Sequence, residues 1–181
     1  MTDAKDLEQR LAAVVDRAEI IEVCTRMHFF LDRKAWDRYP EVFAAEISLP
    51  TRAEFAALKP GESAKGSPRP LADLTASIEV MMHELTTQHI VAGHHVDLDG
   101  DTATCYANGY NMHIGPAGIA ENRVVHASYY QFGMVRTPDG WRIQSLNSNP
   151  IWAQGNEKVC GDGAAQDALL RELAEKHGGD R

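Results

Sequence analysis

The chain has 181 residues, 44% of them hydrophobic and 24% charged, with a formal net charge of −8. That length suits one domain able to bury roughly 70% of its unfolded surface, and the apolar content argues against disorder. The acidic balance argues against nucleic acid or an anionic membrane surface as a partner. The three cysteines Cys24, Cys105 and Cys160 match no zinc or redox spacing, and an odd number makes no disulfide framework. The opening Met1-Thr2-Asp3-Ala4-Lys5-Asp6 lacks the apolar run of a signal peptide. No stretch approaches the ~18 apolar residues of a membrane span, so the expected location is the cytoplasm.

Residues 4–31 predict one long helix. Leu7, Leu11 and Val14, then Ile20, Ile21, Cys24, Met27, His28 and Leu31, recur at helical spacing without a Pro or Gly between them. Ile21, Thr25, His28 and Asp32 lie on one line of that helix, so a carboxylate at its end can point inward. Trp36 to Ala45 reads as a second, short helix, with Pro40 tolerated in its first turn, and residues 46–52 as a weak strand. The Pro-, Gly- and Ser-rich stretch 59–70 reads as a loop, either a plain surface loop or a cover over a cavity. Leu71 to Glu84 reads as a third helix, with Leu74, Ile78, Met81 and Met82 as its apolar line.

From Thr86 the apolar period changes to two. Strands are expected at 87–98, 101–114, 122–136 and 140–150. Asp99-Gly100 is a two-residue hairpin signal, and Gly115-Pro116-Ala117-Gly118 and Pro138-Asp139-Gly140 mark the other turns. Three short connections predict an antiparallel meander. Ala164 to Lys176 closes the chain as a helix, with Leu169, Leu170 and Leu173 available for docking. Helices followed by strands make an α+β layout: a curled sheet around the helices, forming a cone with a hollow end. Residues 1–155 form the expected domain and 156–181 a tail with a short helix.

One face of the strand 101–114 carries Ala103, Cys105, Ala107, Gly109, Asn111 and His113. Small residues leave room beside the helices, and the polar pair sits at one end of that room, as in a small-molecule cavity; close helix packing is the other explanation. Tyr129, Gln131 and Gly133 share a face of the next strand. Trp141, Ile143, Ser145, Asn147 and Asn149 share one of the last. Which faces look inward depends on register, because a slip of one residue inverts them.

Asp32 either orients and charges His89 or caps the helix after it. His89 and His113 are each either an acid–base group titrating near working pH or a core histidine. The histidines do not spell a metal site. His83-Glu84 and His89 miss the His-Glu-x-x-His spacing, and the adjacent His94 and His95 point to opposite faces of a strand. There is no Gly-rich phosphate loop and no nucleophile elbow. Cys24 and Cys105 read as core residues.

Asp32-Arg33-Lys34-Ala35-Trp36-Asp37-Arg38, then Thr87-Gln88-His89, His113, Asp139-Gly140-Trp141 and Trp152 resemble, in that order, the SnoaL-like group of the nuclear transport factor two-like superfamily. The scytalone dehydratases are the nearest likeness, over about residues 15–155. The resemblance implies a cone-shaped, cystatin-like α+β barrel that buries a small hydrophobic molecule and assembles as a homo-oligomer, dimer or trimer. It also implies dehydration, dehydrohalogenation, isomerisation or ring closure without a metal or organic cofactor. On that likeness Asp32 holds and polarises His89, and His89 removes a proton next to a carbonyl or leaving group. His113, on the next strand, orients the substrate or returns a proton, and Gln131 binds the ligand's oxygen. Asn111 and Tyr129, from the strand faces, are the further candidate substrate-binding residues. The tyrosines that scytalone dehydratases place before this Asp and on the first strand are missing here, where Leu31 and Pro50 or Thr51 stand, which sets the expected substrate apart from scytalone. The other readings are a non-catalytic ligand-binding or oligomer-forming protein of the same fold, and a small subunit of a larger oxygenase.

Overall fold

The computed structural model describes residues 3–50, 66–116, 121–161 and 163–178. Helix α1 runs from Ala4 to Asp32, capped by the Asp3 carboxylate, which accepts from the Lys5 N–H. Only its second half enters the core, through Ile20, Val23, Cys24, Met27, Phe30 and Leu31, while Leu7, Leu11 and Val14 stay exposed. The helix ends in a Schellman motif: the Lys34 N–H donates to Leu31 C=O at 3.2 Å and the Ala35 N–H to Phe30 C=O at 3.0 Å. The motif needs a left-handed residue at its turn, and Lys34 fills it with φ +53°.

The helix expected at Trp36–Ala45 does not form. A single 3-10 turn, Tyr39–Val42, starts with Pro40 in its first positions, and strand β1 follows at Phe43–Ser48. Tertiary pairing decides this, since Phe43 lies opposite Ile143 of the last strand. Residues 59–65 of the expected loop lie outside the described residues; its end forms a three-residue strand, β2 (Pro68–Pro70), paired with β1. Helix α2 is Leu71–Met82. The four long strands come where the sequence puts them: β3 Thr86–Asp99, β4 Thr102–Ile114, β5 Arg123–Thr137 and β6 Gly140–Gly155. Gly100 takes φ +60° in the hairpin between β3 and β4. Ala117 and Gly118, expected in the next turn, lie outside the described residues. A 3-10 turn at Glu157–Cys160 and helix α3, Ala164–Gly178, complete the chain.

The strands form one mixed sheet in the order β2-β1-β6-β5-β4-β3, antiparallel except where β1 runs beside β6 in the same direction. The sheet is unclosed, with β2 and β3 as its edges. Helix α1 packs against both β3 and β6, so the sheet must curl around it: this is the expected α+β cone. One anchor is the Trp141 indole, which donates to Asp16 of α1 at 3.0 Å while Arg136 reaches the same carboxylate at 2.7 Å. Helix α3 packs on α2, where Gln166 is buried. No helix among the described residues is long and apolar enough to cross a membrane.

Two bulges decide which face of β6 looks inward. Gly133 pairs with Ser145 but Met134 with Ile143, so Gln144 is an extra residue and the alternation inverts there. Trp141 and Ile143 are buried, and beyond the bulge Leu146 and Ser148 face inward. Ser145, Asn147 and Asn149, which strict alternation groups with Trp141, lie on the other face.

Candidate active site

Between α1, α2 and the inner face of the sheet lies a cavity of about 170 Å³. Its apolar wall comes from the helices and β6: Met27, Leu31, Ile78, Met81, Met82 and Leu146. Its polar wall is the inner face of the long strands, with His89 on β3, Asn111 and His113 on β4, and His126, Ser128 and Tyr130 on β5. The antiparallel register sets this wall: His89 stands opposite Asn111, and Asn111 opposite His126. The small inward residues of β4, Cys105, Ala107 and Gly109, sit further along the same face. Gly109 is obligatory, because a Cβ there would run into the ring of Tyr130.

Asp32, the last residue of α1, bonds across to β3. Its Oδ1 lies 2.6 Å from His89 Nδ1, its Oδ2 accepts the His89 backbone N–H at 2.8 Å, and the Thr87 hydroxyl donates to Oδ1 at 2.9 Å. A carboxylate only accepts, so Nδ1 carries the proton and Nε2 is the nitrogen left for the cavity. The alternative in which Asp32 caps the next helix does not apply, since Trp36–Ala45 forms a 3-10 turn and a strand and the Asp32 carboxylate bonds to β3 instead. Burial alone raises the Asp32 carboxyl, but the bonds from His89 and Thr87 outweigh it and hold the pKa below the usual carboxylate value. The Lys34 ammonium lies 3.1 Å from Thr87 Oγ1. Burial lowers its pKa more than the nearby Asp32 raises it.

His89 belongs to a row of imidazoles. Its ring centre is 5.2 Å from that of His28 and 5.2 Å from that of His113, and His113 is 5.6 Å from His126. Fully buried His28 sits with Nδ1 3.2 Å from Cys24 C=O. Its pKa is lowered to about 3, by burial first and then by the nearby His89, so it stays neutral. The Asn111 amide donates to Tyr130 Oη at 2.7 Å. Asn111 Oδ1 is buried without a hydrogen-bond partner among the described residues. Burial pushes the Tyr130 phenol above its ordinary value. No group of three or more His, Cys, Asp or Glu among the described residues could hold a metal ion.

Of the residues singled out from sequence, Asp32, His89, His113 and Asn111 come together. Tyr129 and Gln131 do not: they stand on the outer face of β5, Tyr129 56% exposed, because Ser128 and Tyr130 are the residues facing in. The sequence reading missed His28, His126, Ser128, Tyr130 and Ser148 as cavity residues. A period-2 count groups His126, Ser128 and Tyr130 on one face, but only pairing with β4 says that this face is the inner one.

A family model described as a SnoaL-like domain matches residues 12–147. The chain belongs to the SnoaL-like family. No protein of curated function matches it. Among solved structures, Kfla4162 of Kribbella flavida is 26% identical, with 88% of this chain and 99% of that chain covered and a TM-score of 0.69. A scytalone dehydratase candidate from Novosphingobium aromaticivorans is 12% identical, covering 80% of this chain and 90% of its own, at TM-score 0.63. A type 2 hexachlorocyclohexane dehydrochlorinase (LinA) is 14% identical, covering 83% and 95%, at TM-score 0.62. The last two likenesses are of fold alone.

Proposed function

We propose that this SnoaL-like chain is a lyase or isomerase of the dehydratase or cyclase kind. His89 takes a proton from a carbon beside a carbonyl or leaving group of a small, uncharged, largely apolar cyclic molecule. The observation that carries this reading is the 2.6 Å contact between His89 Nδ1 and Asp32 Oδ1, on an imidazole that lines a mostly apolar cavity. Asp32 fixes the tautomer and stabilises the imidazolium formed when Nε2 accepts the proton; the carbon keeps the electron pair, which moves toward the carbonyl or expels the leaving group. His113, ring to ring with His89, returns a proton to the leaving oxygen or to carbon. Asn111 binds the ligand, because its orphaned Oδ1 is a buried acceptor that a substrate hydroxyl satisfies.

The test needs no known leaving group. Cyclic ketones, enols and polyketide-like compounds are screened for a rise in unfolding temperature. Binders carrying a proton next to a carbonyl are then incubated with the protein in D₂O, and exchange at that carbon is followed by NMR. The expected result is exchange that slows by ~10²–10⁴-fold in His89→Ala. Binding with no His89-dependent exchange and no turnover in any compound supports the ligand-binding reading in its place.

A further inference from the structure

Lys34 is the one non-glycine residue with positive φ among the described residues, at +53°. It sits at the turn of the Schellman motif closing α1, where glycine is the residue without a steric penalty. A residue held in a sparsely populated backbone region next to Asp32 and Thr87 asks for a use, and the side chain shows one. Its Nζ lies 3.1 Å from Thr87 Oγ1, and Thr87 Oγ1 lies 2.9 Å from Asp32 Oδ1. An ammonium can only donate. It therefore occupies the Thr87 oxygen as an acceptor and leaves the hydroxyl proton a single direction, toward Asp32. Oδ1 of Asp32 then receives two donors, Thr87 and His89 Nδ1, with a cation one hydroxyl away. Lys34 Nζ also lies 5.8 Å from the centre of the Trp36 ring.

We propose that Lys34 is a positioning residue that sets the strength of the Asp32–His89 hydrogen bond through Thr87. The proposal rests on the reading of His89 as the base. A carboxylate shared with Thr87 and the nearby cation holds the imidazole in register through Nδ1 while raising the basicity of Nε2 less, so the imidazolium formed on abstraction gives up its Nε2 proton more readily. From the Schellman turn the side chain crosses the end of α1 to Thr87 on β3.

The readout is the downfield proton NMR resonance of His89 Nδ1–H, whose position follows the strength of its bond to Asp32. Asp32→Asn should remove the resonance; if it persists unmoved, the Asp32–His89 reading itself fails. Lys34→Gly deletes the side chain while suiting the positive φ, so the fold is kept. With the cation gone Asp32 becomes the stronger acceptor, and the resonance should move further downfield. Lys34→Arg should keep it near its original place. Thr87→Val should shift it in the same direction as Lys34→Gly, and the double variant no further than Thr87→Val alone, since the two act through one chain of bonds. A resonance lost in Asp32→Asn but unmoved or displaced upfield in Lys34→Gly overturns the role of Lys34 and leaves the dyad standing. Shifts that add in the double variant overturn the route through Thr87.

Discussion

At the scale of single residues the site is an argument about which groups hold charge. Asp32 is ionised and triply bonded, and replacing it by Asn swaps an acceptor for an amide that presents one acceptor and one donor to three donors. Asp32→Asn should slow His89-dependent exchange by ~10²-fold or more, read by the same D₂O assay. Its depressed carboxyl stabilises the fold above the unfolded-state value of about pH 4 and loses that contribution as pH falls through the folded pKa. The gap in unfolding temperature between the original chain and Asp32→Asn should therefore close below about pH 4. His28 has the opposite consequence. Its pKa falls from 6.5 to about 3 on folding, so below pH ~6.5 the unfolded chain binds the extra proton and stability drops as pH falls toward 3. Unfolding free energies from urea titration of His28→Leu between pH 6.5 and 4 should fall less steeply, by up to about 1.4 kcal/mol per pH unit.

At the scale of elements, β4 and β5 build the cavity wall by placing small residues where a large one must fit. The Tyr130 ring occupies the space over Gly109 and is 6% exposed. Gly109→Ala should destabilise by about 1–3 kcal/mol, as overpacking does, and should weaken ligand binding because Tyr130 leaves its bond with Asn111; chemical denaturation and ligand titration read the two effects. The strands themselves were legible as a period of two with turn residues between them, within one or two residues at most ends. Trp36–Ala45 was not, because Tyr39, Val42 and Phe43 suit a helix face as well as a strand, and only the presence of β6 beside Phe43 chooses. The inward faces of β5 and β6 were equally beyond local reading: a bulge such as that at Gln144 adds one residue without a signal in composition.

At the scale of the molecule, a curled unclosed sheet around one long helix leaves a chamber that neither element makes alone. A compound that fits it should stabilise the fold by mass action, about 2.7 kcal/mol at a hundred times its Kd. Filling the chamber by Leu146→Trp should abolish that rise in unfolding temperature, which a thermal-shift titration of both proteins will show. By itself the sequence determined the long helices, the four long strands, the α+β class and the family, because periodicity, turn residues and the order of Asp32, Thr87-Gln88-His89 and His113 are local facts. Only the tertiary structure decided which histidines touch, that Tyr130 and not Tyr129 faces the cavity, and that Lys34 reaches Thr87. Those depend on strand register, set by pairing such as that of Asn111 with His126, and on contacts between distant segments, such as Lys34 with Thr87.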